Sequence, residues 1–250
     1  MNFIDDYSHE THNIMYISQS ILTKEVEDLY EYNLIGCTCE AKCERSKCSC
    51  IERSGTFYVY NDVKDKRSYS ICEKDMERPT YECNDSCKCT EMCGNRLAQF
   101  GPREFLRVQN CKKVDKGNFI CEYAGEIITE AEALKRYKTN GEMNYIFCIN
   151  ERFGDTVSKT FIDPTFYGNI GRYINHSCDP NCKLYVIRIN DTVPILAIFA
   201  NEDINENNEI TYDYGDAENN LEAADKDKRK ICHCNSTKCR KFLPFDISLA

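Results

Sequence analysis

Nine cysteines between positions 37 and 93 constrain this chain more than anything else in it. Cys37, Cys39, Cys43, Cys48 and Cys50 follow C-x-C-x3-C-x4-C-x-C, and Cys83, Cys87, Cys89 and Cys93 follow C-x3-C-x-C-x3-C. Three independent four-ligand zinc ions would need twelve positions, and nine cysteines supply them if six are terminal and three bridge. So soft and closed a ligand set expects tetrahedral zinc, and C-x-C pairs suit bridging because adjacent thiolates reach neighbouring ions. A disulfide framework is disfavoured by the odd number and by the lack of a secretory signal. Two four-cysteine fingers with one spare thiol rank below the three-zinc cluster as well. The stretch is poor in apolar residues, so metal must supply its folding free energy. A polar insert at 51–82 divides the two groups. Its Cys72 lies outside both patterns and reads as a free thiol.

In all, 18 of 250 residues are cysteine. The length allows one large domain or a small module joined to a larger one. No apolar run approaches a membrane span and no signal peptide is visible, which points to a soluble intracellular protein. The formal charge is −9, and thirteen thiolates around four zinc ions would take it to about −14. Such a surface repels nucleic-acid phosphates and attracts basic peptides, although acidic residues also serve solubility alone.

Residues 1–36 are polar and mixed, with a helix expected around Ile21–Tyr30. His9 and His12 read as solvated surface groups. Further on, Phe105–Val108 and Asn118–Ile128 read as strands. Thr129-Glu-Ala-Glu132 forms a capping box, so a helix should run from about 130 to 138 and end at Asn140-Gly141. Asn144–Ile149 returns to strand, with Tyr145 and Phe147 on one face and Ile146 and Cys148 on the other. Cys111, Cys121 and Cys148 are isolated from one another and suit buried packing. Short strands follow at Thr160–Ile162, Lys183–Ile189, Pro194–Ala200 and Glu209–Tyr214, separated by Gly, Pro and Asn turns. That spacing argues for small curled sheets rather than alternating βαβ units. No G-x-G-x-x-G opens a helix after a strand, so a Rossmann nucleotide site is not supported.

Two polar strings stand out within this strand-forming sequence. One is Asn175-His176-Ser177-Cys178, entered from a tight loop and short helix at Gly168–Asn175. The other is Ile210-Thr-Tyr-Asp-Tyr-Gly215, in which Tyr212 and Tyr214 alternate. After a charged stretch at 216–231 come Cys232, Cys234 and Cys239 as C-x-C-x4-C. Three thiolates leave a fourth zinc position open. His233 lies between two ligands and would have to fold back, so Cys178 is the better fourth ligand. That choice pulls the tail onto the polar string. Taken singly, an Asn-His pair caps a turn and alternating tyrosines fill a sheet face. Their joint placement beside the cysteines favours a site.

Together these residues resemble a known family. Two cysteine groups, then Cys121-Glu-Tyr-Ala-Gly-Glu126, Gly168-Asn-Ile-Gly-Arg-Tyr-Ile-Asn-His-Ser-Cys178, Ile210-Thr-Tyr-Asp-Tyr214 and a closing C-x-C-x4-C are similar to pre-SET, SET and post-SET modules of Suv39-class histone-lysine N-methyltransferases. The resemblance covers roughly 36 to 247. It implies a mostly β fold with short helices, a SET-domain β-clip with a pseudoknot, a three-zinc pre-SET module before it and a post-SET zinc site after it. The expected divisions are an N-terminal segment at 1–35, pre-SET at 36–97, SET at 98–216, a linker at 217–231 and post-SET at 232–250. The implied cofactors are S-adenosylmethionine and four zinc ions. Tyr145, Arg172, Asn175 and His176 would contact S-adenosylmethionine, Tyr214 would be the catalytic tyrosine, and Tyr145 would also border the lysine channel. Tyr212 stands where Phe or Tyr governs how many methyl groups are added, so mono- or dimethylation is expected. The implied partners are the histone H3 tail and the nucleosome, in the nucleus and on the chromosome. No DNA-binding module and no membrane contact are seen.

One element of the family is missing. Members carry K-G-x-G-[LV] shortly before the Lys-Gly that opens the first conserved strand, and its glycines let backbone approach the cofactor. Here Asn110-Cys-Lys-Lys-Val-Asp-Lys-Gly117 runs almost directly into that strand, with about ten residues of strand and turn absent. The resemblance therefore carries two functions: a lysine methyltransferase, and a catalytically impaired SET protein that holds a histone tail as a scaffold. A zinc-stabilised interaction module is a third reading, should the tyrosines only pack.

Overall fold

A computed structural model describes residues 13–32, 34–60, 69–75, 77–101, 112–139, 145–215 and 230–244. The expected strand at 105–108, the helix end at 140–141, His9, His12, Cys111 and nearly all of the 216–231 stretch lie outside them. Short strands dominate the described residues, and only two α-helices occur, Ser49–Arg53 and Glu130–Thr139. No helix there is long and apolar enough to cross a membrane.

Two four-stranded sheets carry the core. In the first, Thr80–Tyr81, Cys182–Arg188, Ile195–Ala200 and Phe119–Glu122 lie side by side. In the second the order is Ile21–Leu22, Glu126–Ile128, Thr156–Asp163 and Phe147–Phe153. Ile195-Leu-Ala-Ile-Phe-Ala200 is an unbroken apolar run because both of its faces are covered. Leu196, Ile198 and Ala200 join one cluster with Ile120, Ile127, Ile149 and Ile162, whereas Ala197 and Phe199 join another with Phe119, Tyr185 and Ile187. Period-two alternation thus sends one strand into two cores.

The expected 118–128 strand is two strands, broken at Tyr123–Gly125 where the chain passes from one sheet to the other. The helix expected near Ile21–Tyr30 does not form. Ile21–Leu22 pairs in parallel with Glu126–Ile127, and only Glu27–Leu29 makes a 3-10 turn. Edge pairing and burial of Val26 outweigh the local helical propensity of this stretch. The helix from Glu130 forms as expected, but its capping box is half made. Thr129 Oγ1 accepts from Glu132 N at 3.2 Å, while the Glu132 carboxylate takes Lys135 and Arg136 instead. Arg136 also reaches Glu126 at 2.7 Å and the fully buried Asp163 at 2.9 Å. Arg136→Ala would leave the buried Asp163 without its ionic partner, held only by Thr165, and should cost about 3–5 kcal/mol in urea unfolding.

The N-terminal segment is strapped across these strands. Met15–Tyr16 pairs with Tyr167–Gly168, and Ser20 donates its N–H and hydroxyl to the buried Glu122 carboxylate at 2.8 and 2.5 Å. Burial raises the Glu122 carboxyl to about 7, against the smaller lowering effect of Ser20. A carboxyl raised in the folded state keeps its proton in the fold after the unfolded chain has lost it. Stability should therefore fall as pH rises from about 4.5 to 7, by about 3 kcal/mol at most, and then level off. Glu122→Gln should remove that slope, so that wild type and variant diverge in urea midpoint at pH 8 more than at pH 5.

Candidate active site

The cysteine pattern delivers its sulfurs to one place. Cys37, Cys48, Cys50, Cys83, Cys89 and Cys93 are buried together, with Cys39, Cys43 and Cys87 at the margin. Groups of four sulfurs, each within 4.8 Å of the others, are Cys37–Cys48–Cys50–Cys83, Cys37–Cys39–Cys43–Cys48 and Cys37–Cys43–Cys83–Cys89. Cys37 belongs to all three and Cys43, Cys48 and Cys83 to two each, so the groups overlap, although four shared sulfurs are not the six terminal and three bridging thiolates expected from the count. Sulfurs on a tetrahedral zinc with bonds near 2.3 Å sit about 3.8 Å apart. Observed separations are 3.6 Å for Cys37–Cys43, 3.5 Å for Cys43–Cys83 and 3.7 Å for Cys50–Cys87. Cys87 and Cys93 fall outside the four-sulfur groups. Cys87 reaches Cys50, and both lie in the same cluster. Their sulfurs accept N–H bonds, Cys87 from Cys37 and Asn84 at 3.2 Å each and Cys93 from Asn95 at 3.4 Å. Such bonds favour thiolate. Cys93 is held down to about 5, chiefly by hydrogen bonding from Cys83, whereas burial raises Cys39 and Cys89 to about 11. This donor set suits a soft divalent cation, which lets all the thiols ionise together.

The second group is Cys178, Cys232, Cys234 and Cys239, again within 4.8 Å of one another. Cys178 and Cys232 are 3.8 Å apart. The tail therefore does meet the Asn175–Cys178 string.

That string forms a short parallel ladder with the second one, Asn175 opposite Thr211 and His176 opposite Tyr212. Asn181, three residues past the first string, grips the second. Its amide donates to the Glu209 carbonyl at 2.8 Å and accepts from Thr211 N–H at 2.9 Å. Asn181→Ala breaks both bonds, and a loss of about 1–3 kcal/mol is expected in denaturant unfolding. Asn175 itself donates to Glu209 Oε1 at 2.7 Å. Gly171 lets this segment pass close by, since a Cβ there would lie 2.6 Å from the Glu122 carbonyl oxygen.

His176 is the hinge of the arrangement. Its Nδ1 accepts from Tyr214 N–H at 3.2 Å, so the neutral ring carries its proton on Nε2, 3.2 Å from Cys178 Sγ. Burial holds its pKa below the usual histidine range, against the raising effect of Asp213. The aromatic groups gather beside it. The Tyr212 and Tyr214 rings are 4.9 Å apart, and Tyr214 is 5.3 Å from His176. Tyr123 and Phe147 lie 6.1 and 6.5 Å from Tyr212. Tyr212 is buried and Tyr214 is 36% exposed, so the cluster opens at one end. The Tyr214 hydroxyl donates to the Ile174 carbonyl at 2.9 Å, and burial pushes its pKa up to about 12. Tyr145 is half-buried, with the Arg172 guanidinium 4.4 Å over its ring.

Two models of known families match the chain in series, a Pre-SET motif over residues 1–96 and a SET domain over 108–215. Over 241 residues the chain is 37% identical to the histone-lysine N-methyltransferase SETMAR of Rattus norvegicus, covering 86% of this chain and 73% of that one. The chain belongs to the SET-domain histone-lysine N-methyltransferases. Among solved SET methyltransferases, the methyltransferase domain of human SETMAR matches with a TM-score of 0.71 at 30% identity, over 96% of this chain and 92% of that one. KRYPTONITE, solved in complex with mCHH DNA, an H3(1-15) peptide and SAH, matches with a TM-score of 0.70 at 26% identity, over 94% of this chain and 48% of that one.

Of the six residues singled out from the sequence, four lie in the two strings, and Arg172 and Tyr145 stack on each other beside them, Tyr145 joined to Tyr212 through Tyr123; three further neighbours were not singled out. Tyr123 donates its hydroxyl to the Tyr145 carbonyl at 2.6 Å and packs on Tyr212. It sits in the Cys121–Glu126 motif, so position alone could have marked it. Phe147 is expected on the same strand face as Tyr145, but the sequence does not say which face turns toward the site. Arg240 bonds Asp213 at 2.6 Å across the tail, and no local pattern announces that contact. Where the glycine turn is missing, Val114 exchanges both backbone bonds with Ile204 at 2.9 and 2.8 Å, and Gly117 turns the chain at φ 79° into the Phe119 strand.

Proposed function

We propose that this chain transfers a methyl group from S-adenosylmethionine to a lysine of the histone H3 tail, on nucleosomes in the nucleus, and stops at mono- or dimethylation. The observation that carries the proposal is the open-ended cluster of Tyr212, Tyr214, Tyr123 and Phe147 against His176. S-adenosylmethionine, held by Tyr145, Arg172, Asn175 and His176, supplies an electrophilic methyl on a sulfonium. In-line displacement asks the protein for placement and electrostatics rather than covalent catalysis. The aromatic walls exclude water from the lysine amine and so favour its neutral form. The Tyr214 hydroxyl, spent as a donor on Ile174, keeps its lone pairs to accept an amine N–H and aim the nitrogen lone pair. It remains protonated near neutral pH, so it orients the amine and does not deprotonate it. The Tyr212 hydroxyl occupies space that an added methyl would need. Four zinc ions, three in the nine-cysteine cluster and one at Cys178, Cys232, Cys234 and Cys239, complete the reading.

Incubation with labelled S-adenosylmethionine and H3 peptide tests the proposal, with products resolved by mass spectrometry. Mono- and dimethyl-lysine are expected, and Tyr212→Phe should move product toward trimethyl-lysine. A Tyr212→Phe variant with an unchanged product distribution refutes the assignment of that position. The second reading, a peptide-binding scaffold, rests on the direct run of Lys112-Lys113 into the Val114–Ile204 pairing with no glycine turn before it. Calorimetry separates the two: H3 peptide binding without S-adenosylmethionine binding supports the scaffold.

A further inference from the structure

The tail touches the tyrosine string at a place that the four-sulfur group does not require. Arg240 lies next to Cys239 and makes two bonds in opposite directions. Its backbone N–H donates to Cys178 Sγ at 3.3 Å, and its guanidinium Nη2 meets Asp213 Oδ1 at 2.6 Å. Asp213 separates Tyr212 from Tyr214. The same carboxylate oxygen accepts from Gly215 N–H at 3.2 Å and lies 3.5 Å from His176 Nδ1, the atom that receives Tyr214 N–H. Arg240 therefore closes a loop of contacts that runs from Cys178 through His176 and Tyr214 to Asp213.

A nearby pair shows what is particular here. Lys238 also reaches back, to Asp179 at 2.8 Å, but those side chains are 71% and 45% exposed and such a pair contributes little. The Arg240 and Asp213 side chains are each 31% exposed, and a guanidinium on a carboxylate directs as well as attracts.

We propose that Arg240 is a positioning residue: by holding Asp213 from the docked tail, it fixes the backbone of 211–215 and with it the placement of the Tyr212 and Tyr214 rings. The metal group brings the tail to the site, and the ion pair sets its register there. This rests on the methyltransferase reading only for its catalytic consequence.

The test compares the full chain with Arg240→Gln, Asp213→Asn and the charge swap Arg240→Asp with Asp213→Arg, with zinc content measured in each. Hydrogen–deuterium exchange over 211–215 should quicken about tenfold in both single variants at unchanged zinc, and the swap should restore part of the protection. Where the wild type methylates peptide, Arg240→Gln should lower kcat with little change in peptide KM. Wild-type exchange rates in both single variants at full zinc would overturn the proposal. So would zinc loss in Arg240→Gln beside an unaffected Asp213→Asn, because Arg240 would then act through the metal group alone. A wild type that transfers no methyl group defeats the methyltransferase reading, and the exchange measurement still decides the role of Arg240.

Discussion

Chelation should remove the tail's metal before that of the nine-cysteine cluster, and should unfold the cysteine runs 37–50 and 83–93 only when the latter goes. Three of the four tail cysteines, Cys178, Cys234 and Cys239, are half-buried, against three of nine in the cluster, Cys39, Cys43 and Cys87, where Cys37, Cys48, Cys50, Cys83 and Cys93 are nearly inaccessible. Apart from the cysteines themselves, Ile51 and Phe57 are the apolar side chains of that cluster among the described residues. Tyr58, Tyr69 and Ile71 of the intervening insert pack on the sheet core, so it is the two cysteine runs, 37–50 and 83–93, whose ordering two side chains cannot offset. A structural zinc ion contributes on the order of 10–16 kcal/mol to the folding of a small metal module, and sharing thiolates between ions makes its loss cooperative. Native mass spectrometry under a graded chelator should show four zinc ions fall to three and then abruptly to none. Thiol labelling should follow the same two steps. The first step should already weaken S-adenosylmethionine binding, since the tail docks on the Asn175–Cys178 string through the Cys178, Cys232, Cys234 and Cys239 group and is released with its metal. A chain stripped of metal whose 37–93 cysteines stay unlabelled would defeat this account.

The strands that hold the site were largely legible because their chemistry is local. Thr160–Ile162, Lys183–Ile189 and Pro194–Ala200 are bounded by turn residues, and the observed strands overlap all three. The errors share one cause. Ile21–Leu22 becomes a strand because Glu126–Ile127 offers it an edge more than one hundred residues away. Glu209–Tyr214 shrinks to Thr211–Tyr212 because its partners are a two-residue strand and the side chain of Asn181. Local propensity cannot see either partner. The metal groups were easier, because metal chemistry selects residue type and spacing directly. The aromatic cluster was half visible: Tyr212 and Tyr214 stand out by alternation, whereas Tyr123 joins them only after the chain crosses between sheets.

Tyr214→Phe is expected to reduce methyl transfer about a hundredfold or more while leaving the fold and S-adenosylmethionine binding intact. The ring packs against Tyr212 and His176, and Phe preserves those contacts. Its backbone N–H, which fixes the His176 ring, is untouched by the substitution. What disappears is one hydroxyl at the open end of the cluster. The cost to stability is small, because Ile174 O loses a partner where Tyr214 is 36% exposed and water can replace it. The cost to the reaction is large, because an amine that is not aimed along the sulfur–methyl axis rarely attacks. Burial has raised the Tyr214 hydroxyl to about 12, so the rate in wild type should not follow deprotonation of a tyrosine between pH 7 and 9. Any rise with pH over that range reports loss of the lysine proton, and it should persist in the slow variant. Single-turnover rates for both proteins from pH 7 to 9 check this. A Tyr214→Phe variant whose pH profile flattened would make the hydroxyl the base and overturn its role in orientation.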